Sequence, residues 1–282
     1  MSIDNINKPV ISCEFFPPRT DAGMEKLIAT HQKLNNTIDP AFFSVTFGAG
    51  GTTRDRTMET VKQLCSDKQQ IIAPHISCMG STKQQLADLL DEYIELGINR
   101  LVTLRGDIPE QGSPDNELSY ANELVAFIRE KTGDHFHIEI AAYPEYHPES
   151  VSPDEDFKYF LNKARAGANS AITQYFYNID AYTNFVEKCE QAQLNIPIVP
   201  GIMPITNYAN LVRFSDGCGA EIPRWIRKQL AAYEDDLDSL REFGTNVVAH
   251  LCEQLLQAGA PGLHFYTLNQ SDAILNIWNK IK

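Results

Sequence analysis

Ala166-Gly167-Ala168-Asn169-Ser170-Ala171-Ile172-Thr173-Gln174 decides how the chain folds: small residues around a glycine, then a short apolar run ending on a polar side chain. A glycine after a helix supplies the left-handed cap that turns the chain back into a strand. The same punctuation stands at Gly97 before Arg100-Leu101-Val102-Thr103-Leu104, and at Ala258-Gly259-Ala260 before Leu263-His264-Phe265-Tyr266. Working outward, further short apolar runs begin at Val10, Ala41, Ile71, Ile138 and Ile196. Eight predicted strands result, near residues 11, 43, 72, 102, 140, 172, 198 and 264, most of them about 30 residues apart. Helical spacing fills the intervals, with Met24, Leu27, Ile28 and Leu34 in the first and a Ser81 or Thr82 cap in the third. The last interval is about twice as long and holds 207–216, a stretch over 222–233 and an amphipathic helix from Leu237 to Leu255. Strand–helix repeats with right-handed crossovers close into an α/β fold, the (β/α)8 or TIM barrel, read here as one catalytic domain over residues 1–282. The rival open sheet would bring a glycine fingerprint after an early strand, and Gly48-Ala49-Gly50-Gly51 matches no such pattern.

The first run, Val10-Ile11-Ser12-Cys13-Glu14-Phe15-Phe16, ends at Pro17-Pro18 and carries one carboxylate. A buried charge without a partner is expensive, so Glu14 needs a partner or a use. In an apolar pocket, desolvation would raise its pKa and make it a proton donor near neutral pH; otherwise it bonds a neighbouring strand or meets solvent. The net charge of −13 opposes nucleic acid and anionic membranes as partners, and an anionic ligand would need a local basic pocket. No apolar run is long enough to span a bilayer, and Met1-Ser2-Ile3-Asp4-Asn5 lacks the regions of a signal peptide. The six cysteines form no CxxC and read as reduced thiols of a soluble cytoplasmic protein.

In a barrel, chemistry belongs at the carboxyl ends of the strands. Those ends present Glu14, Thr46, His75, Arg105 with Asp107, Tyr143 with His147, Gln174, Met203 and Leu268-Asn269-Gln270. So many polar groups after apolar strands favour a pocket over a polar rim. No lysine ends a strand, which argues against Schiff-base chemistry. His135-Phe136-His137 precedes the fifth strand, at the wrong barrel face, and reads as a surface pair. Ligation by Glu14, His75, Asp107 and His147 defines the alternative, a metal-dependent barrel hydrolase or lyase. Asp156, Tyr159 and Lys163 share a helical face with Asn162 beside it, either a solvated face or a ligand contact. Residue chemistry alone reaches a barrel enzyme with an acidic donor.

The stretches Glu14-Phe15-Phe16-Pro17-Pro18, Ser44-Val45-Thr46, Pro74-His75, Leu104-Arg105-Gly106-Asp107, Ala142-Tyr143-Pro144-Glu145 with His147-Pro148, Ile172-Thr173-Gln174, Pro200-Gly201-Ile202 and Phe265-Tyr266-Thr267-Leu268-Asn269 resemble the methylenetetrahydrofolate reductase family, single-domain bacterial type, nearly end to end. The resemblance implies a flavoprotein of one-carbon metabolism and methionine biosynthesis. It would pass hydride from NADH to FAD and then, ping-pong, to 5,10-methylenetetrahydrofolate, with no metal and with a homo-oligomeric state. It implies Glu14 as general acid for the departing ring nitrogen and Asp107 as a carboxylate near flavin and pterin. FAD contacts would be Thr46, Phe47, Ala49, His75, Arg105, Gly106, Asp107, Ala121, Tyr143, His147, Asp156, Tyr159, Asn162 and Lys163. Arg105 and Lys163 would bring the positive charge that the pyrophosphate needs. Substrate contacts would be Thr46, Asp107, Gln174, Asn210, Phe214 and Gln270. Four positions depart from the family pattern. Asn162 stands where an arginine can occur, Tyr159 where asparagine or histidine is usual, Asn210 for a glutamine, and Gln270 for an arginine that could meet folate's glutamyl tail.

Overall fold

The computed structural model describes residues 9–47, 51–66, 70–107, 117–233 and 235–282, with the backbone alone for 51–54. Its elements follow in the order β1 (Val10–Phe15), α1 (Asp21–Ile38), β2 (Phe42–Val45), α2 (Gly51–Leu64), β3 (Ile72–Ser77), α3 (Lys83–Glu95), β4 (Arg100–Leu104), α4 (Ala121–Thr132), β5 (His137–Ala142), α5 (Pro153–Arg165), β6 (Ser170–Thr173), α6 (Ile179–Gln191), β7 (Ile198–Val199), β8 (Gly201–Ile202), α7 (Tyr208–Cys218), α8 (Arg224–Ala232), α9 (Leu237–Gln257), β9 (Gly262–Tyr266) and α10 (Asp272–Ile281). Thr82, not Ser81, caps α3, exchanging bonds with Gln85 in a capping box. Gly97, Gly167 and Gly259 take positive φ where a helix hands over to a strand, as the repeated glycine predicts.

The strands are parallel, in the order β7-β6-β5-β4-β3-β2-β1-β9-β8. The predicted seventh strand is broken in two at Pro200, which has no N–H to give a ladder. Its first half pairs with β6 and its second with β9, so the two ends of the sheet are consecutive in the chain and the barrel closes there. Gly201 makes that join possible, because a Cβ would lie 2.1 Å from the Thr173 carbonyl oxygen and 2.6 Å from the Tyr266 ring. Among the described residues no helix is long and apolar enough to cross a membrane.

Side chains of a strand alternate between faces, and here both faces are buried. One set, including Cys13, Phe15, Phe43, Val45, Ile76, Leu101, Ile138, Ile140 and Phe265, packs with the helices in the main core. The other set points into the barrel, where Phe42, Ala73, Val102 and Ile172 form a belt closed over by Leu104 and Tyr266. Register places Glu139 and Ser170 on the same side as Val102, at the amino-terminal end of the barrel. There Arg100 pairs with Glu139, Ser170 Oγ donates to Glu139 at 2.5 Å, and His137 Nε2 lies 2.7 Å from Ser170 Oγ and 3.3 Å from the carboxylate. The two histidines lie at the barrel face opposite the strand ends, as expected, but they part company: exposed His135 bonds the Ile98 carbonyl at 3.0 Å, while His137, the first residue of β5, is half-buried and turns toward Glu139.

Burial pushes the Glu139 carboxyl up, but the bonds from His137 and Ser170 and the charge of Arg100 outweigh it and hold it below the carboxylate range. A lowered folded-state pKa contributes stability above the unfolded value, lost as pH falls through the folded one. Glu139→Gln leaves Arg100 without its anion and is expected to cost about 3–5 kcal/mol near neutrality. Urea unfolding carried from about pH 6 down to about pH 3, below the ordinary glutamate value, should show that deficit shrinking as the wild type loses the contribution; a pH-independent deficit would refute the ionic account.

Candidate active site

Glu14 sits at the carboxyl end of β1, in register with Ser44 of β2 on one side and Tyr266 of β9 on the other. Alternation sends Phe15 outward into the core and leaves Phe16 44% exposed, so neither ring walls the carboxylate. What surrounds it is polar. Its Oε2 lies 3.2 Å from His75 Nε2 and 3.6 Å from His264 Nε2, and Ser44 Oγ donates to it at 3.5 Å. The side chain is 18% exposed while both imidazoles are buried. The expected greasy niche is thus corrected to a cage of two histidines and a serine, with a matching electrostatic outcome. Burial raises the Glu14 carboxyl, but the charge of His75 and the bonds from His264 and His75 more than offset it, holding the pKa at about 2. In this resting arrangement Glu14 is a carboxylate, not a stored acid.

The β9 loop pins the backbone behind that carboxylate. Thr267 gives both its N–H (3.3 Å) and its hydroxyl (2.6 Å) to the Glu14 carbonyl. The Asn269 amide accepts from the Phe16 N–H at 3.0 Å and donates to the Phe16 carbonyl at 2.8 Å, a side chain imitating a strand neighbour. Leu268 and Asn269 take left-handed backbone, φ 49° and 56°, to achieve this.

A second cluster forms after β4 and β5. The Arg105 carbonyl accepts from Ser77 Oγ at 2.7 Å and from the Met79 N–H at 3.1 Å, which fixes the turn into Gly106 (φ 87°). Arg105 pairs with Glu149 at 2.8 Å, and the Tyr143 ring meets His147 edge-on at 4.6 Å. Burial, aided by Cys218, Asp156 and Asp107 and opposed by Arg105, pushes the Tyr143 hydroxyl up to about 12. Those mutual fields place Arg105, Asp107, Tyr143 and Asp156 in one neighbourhood. Lys163 reaches in from α5 to donate to the Ala141 carbonyl at 2.6 Å, and burial pulls its ammonium down to about 8 against the field of Asp156. Asp156 accepts from Ser150 Oγ at 2.8 Å. Beside it a cleft of about 230 Å³ is lined by Tyr143, Glu145, Tyr146, Phe157 and Phe185. A larger hollow of about 440 Å³, between α2 and α3 around Asp55, Lys62 and Glu92, lies on the outer wall away from the strand ends.

The remaining candidates divide. Gln174 is half-buried at the end of β6, its Oε1 taking the Tyr175 N–H at 2.9 Å. Thr46 and Phe47 are half-buried after β2, and Ala121 opens α4. Asp107, Tyr159, Asn162, Asn210 and Gln270 are exposed, within reach only of a ligand lying along the rim. Phe214 lies half-buried in α7 with Arg213 over its ring at 5.1 Å. Ala49 lies outside the described residues. Glu14 and His75 meet as a metal reading requires, but among the described residues no three His, Cys, Asp or Glu side chains are placed to hold an ion. The sequence reading did not single out Ser12, Ser44, His264, Tyr266 or Glu149. The first four were legible as inward positions two apart in their strands.

Gly106 offers a direct check on the turn. A Cβ there would lie 1.9 Å from Ser77 Oγ, whereas one at Gly97, also at positive φ, meets nothing within 4 Å. Gly97→Ala should cost about 1 kcal/mol for backbone strain alone. Gly106→Ala should exceed that by about 1–2 kcal/mol, read by urea unfolding; equal losses would mean that the loop relaxes freely.

Comparison with known proteins bears on what this arrangement serves. A family model described as methylenetetrahydrofolate reductase matches residues 2–282. The chain is 38% identical over 276 residues to the 5,10-methylenetetrahydrofolate reductase of Buchnera aphidicola subsp. Schizaphis graminum, covering 98% of this chain and 93% of that one. It is 36% identical over 262 residues to the Escherichia coli K12 protein of the same name, covering 93% and 87%. An Arabidopsis thaliana protein named methylenetetrahydrofolate reductase (NADH) 1 is 33% identical over 98% of this chain, which spans 49% of the plant protein. Among solved structures, a Clostridium thermocellum protein described as binding two copies of 5-methyl-5,6,7,8-tetrahydrofolic acid superposes with a TM-score of 0.66 at 18% identity, over 97% of this chain and 94% of that one, and shares the fold. With the whole barrel matched by the family model and by relatives above one-third identity, the chain belongs to the methylenetetrahydrofolate reductase family.

Proposed function

We propose that the chain reduces 5,10-methylenetetrahydrofolate to 5-methyltetrahydrofolate with electrons from NADH carried by a resident FAD. The observation that carries this reading is Glu14, caged by His75 and His264 at one strand end, with the Arg105–Tyr143–Lys163 cluster at neighbouring ends. The family's relatives carry the reductase name, and the plant relative's name specifies NADH.

The residues present fit an anionic, planar cofactor. Among the described residues the carboxylate partner of Arg105 is Glu149, itself 58% exposed, so a pyrophosphate can displace that partner at little cost. Lys163 brings a second cation to the same neighbourhood, and Gly106 leaves room where any Cβ would collide. Thr46, Phe47, His75, Ala121, Tyr143, His147 and Asp156 would line the cofactor, with Tyr159 and Asn162 at its outer end and Ala49 completing the set. When bound, FAD supplies two-electron carriage between nicotinamide and folate in alternate half-reactions.

This chain's own residues supply position and protons. Glu14, which rests ionised and must first take up a proton, passes it to the departing ring nitrogen of the folate; that C–N bond breaks with its electron pair passing to nitrogen, leaving an electrophilic iminium. Asp107 accepts from the pterin's amide edge and stabilises that developing cation. Gln174, half-buried with donor and acceptor on one amide, serves folate and nicotinamide in turn. Phe214 and Asn210 of α7, with Gln270 after β9, edge the substrate.

The purified chain should be yellow, bleach anaerobically with NADH and regain colour with methylenetetrahydrofolate; a chain that takes up no FAD overturns the proposal. Glu14→Gln should still bleach with NADH but lose recovery by about 10²–10⁴-fold. Equal loss in both half-reactions would remove Glu14 from the acid's role.

A further inference from the structure

Phe214 and Asn210, which edge the substrate, ride on α7, and the way that helix is seated is unusual. A helix on a barrel ordinarily turns a continuous apolar stripe inward. The buried residues of α7 are Leu211 and Ser215, one turn apart, with half-buried Cys218 continuing the same face. Asn210 and Phe214 each stand one position earlier, about 100° round the helix. A buried serine hydroxyl needs a partner, and inside a helix it can take the carbonyl four residues back. Here Ser215 Oγ instead lies 3.0 Å from the hydroxyl of Tyr175, in a pair that is itself buried.

Tyr175 is well placed to hold a helix. It follows Gln174 at the end of β6 and is 3% exposed. Its N–H donates to Gln174 Oε1 at 2.9 Å. Its ring meets Tyr177 edge-on at 5.8 Å, and the Tyr177 hydroxyl donates to the Met203 carbonyl at 3.2 Å. Burial pushes the Tyr175 hydroxyl up and the bond to Ser215 only partly offsets this, so it stays a neutral phenol able to donate. The ends of α7 are fixed separately. Asn207 caps its start by accepting from the Asn210 N–H, and beyond its end the Glu145 carboxylate accepts from the Glu221 N–H, each at 2.9 Å. The hydroxyl pair ties down the stretch between.

We infer, on the reductase reading, that Tyr175 is a positioning residue: its hydroxyl seats α7 through Ser215 and so sets where Phe214 meets the folate, while its N–H holds the Gln174 amide. A seated and a lifted α7 bind the folate unequally, and apparent affinity falls in proportion to the seated fraction. The bond that sets this fraction lies behind the helix, away from the reacting atoms. Losing it therefore weakens binding and leaves the filled site to react at its ordinary rate.

Tyr175→Phe keeps the ring and removes the hydroxyl; Ser215→Ala removes its partner. In hydrogen exchange read by mass spectrometry on the purified chain without folate, amides of 211–218 should lose protection at least about fivefold in either variant. Those of α6 and α9 should keep theirs. A loss shared equally by all three helices, or no loss at all, overturns the inference. In stopped flow, the methylenetetrahydrofolate concentration giving half the limiting reoxidation rate should rise at least about fivefold in Tyr175→Phe, with the limiting rate held within about twofold. The double variant should do no more harm than either single one, because neither buried hydroxyl is left unmatched. A fall in the limiting rate at unchanged half-saturation would place the hydroxyl in the chemical step and overturn the positioning role. A wild type that turns over no methylenetetrahydrofolate would sink the reductase reading, while the exchange result would still decide whether Tyr175 seats α7.

Discussion

A carboxylate inside a barrel is tolerated only if something answers its charge, and in this chain the answer comes from two strands at once. His75 arrives from β3 and His264 from β9, both ending on Glu14 Oε2. Desolvation works against ionisation and the imidazoles work for it; the second effect wins by enough to hold the group at about 2. The balance depends on small distances, so the backbone carrying Glu14 has to be immobile. That explains the effort spent behind it: two bonds from Thr267, a two-point amide clamp from Asn269, and two non-glycine residues kept in left-handed backbone. Strain of that kind, of order 1–3 kcal/mol per residue, persists where surrounding contacts over-determine it.

The barrel interior extends the same logic down its axis. A narrow apolar belt of Phe42, Ala73, Val102 and Ile172 separates the Glu14 cage from a second charged group, Glu139 with Arg100, His137 and Ser170. Both ends are polar, but they are resolved differently. Glu139 has a full-charge partner and close hydrogen bonds, which makes a plug. Glu14 has two imidazoles and a serine hydroxyl for partners and keeps 18% of its side chain exposed, which leaves it open to a ligand. Arg100 touches both worlds, pairing with Glu139 while its guanidinium covers the Phe42 ring that stacks on His264. A single packed column thus links the plug to the cage.

Much of this was legible before any coordinates. The recurring glycine caps at 97, 167 and 259 announced the strand–helix repeat, and the polar residues ending apolar runs marked the open end. Three features were not legible, each for a physical reason. The break at Pro200 belongs to barrel closure, a long-range constraint seen only when β6 and β9 are placed beside it. The polarity around Glu14 was hidden because neighbours in sequence, Phe15 and Phe16, are not neighbours in space; the residues that matter are its register partners on other strands. Likewise Thr267-Leu268-Asn269 reads as a loop motif in sequence, but two of its side chains bond the Glu14 and Phe16 backbone some 250 positions earlier. His137 looked superficial because strand boundaries, set by tertiary pairing, decided which way its ring would turn.

The charge economy of the open end follows from these placements. The chain as a whole carries −13, a field that disfavours any approaching anion. Against it the site deploys two cations held in unlike ways. Lys163 is half-buried and bonded to a neutral carbonyl, and desolvation disfavours its charge, so an arriving anion gives it the partner it lacks there. Arg105 is parked on an exposed glutamate, a contact worth at most about 1 kcal/mol and therefore readily exchanged. An anionic group entering this neighbourhood satisfies the lysine and releases Glu149 to water, so local exchange of partners overcomes the repulsion of the whole.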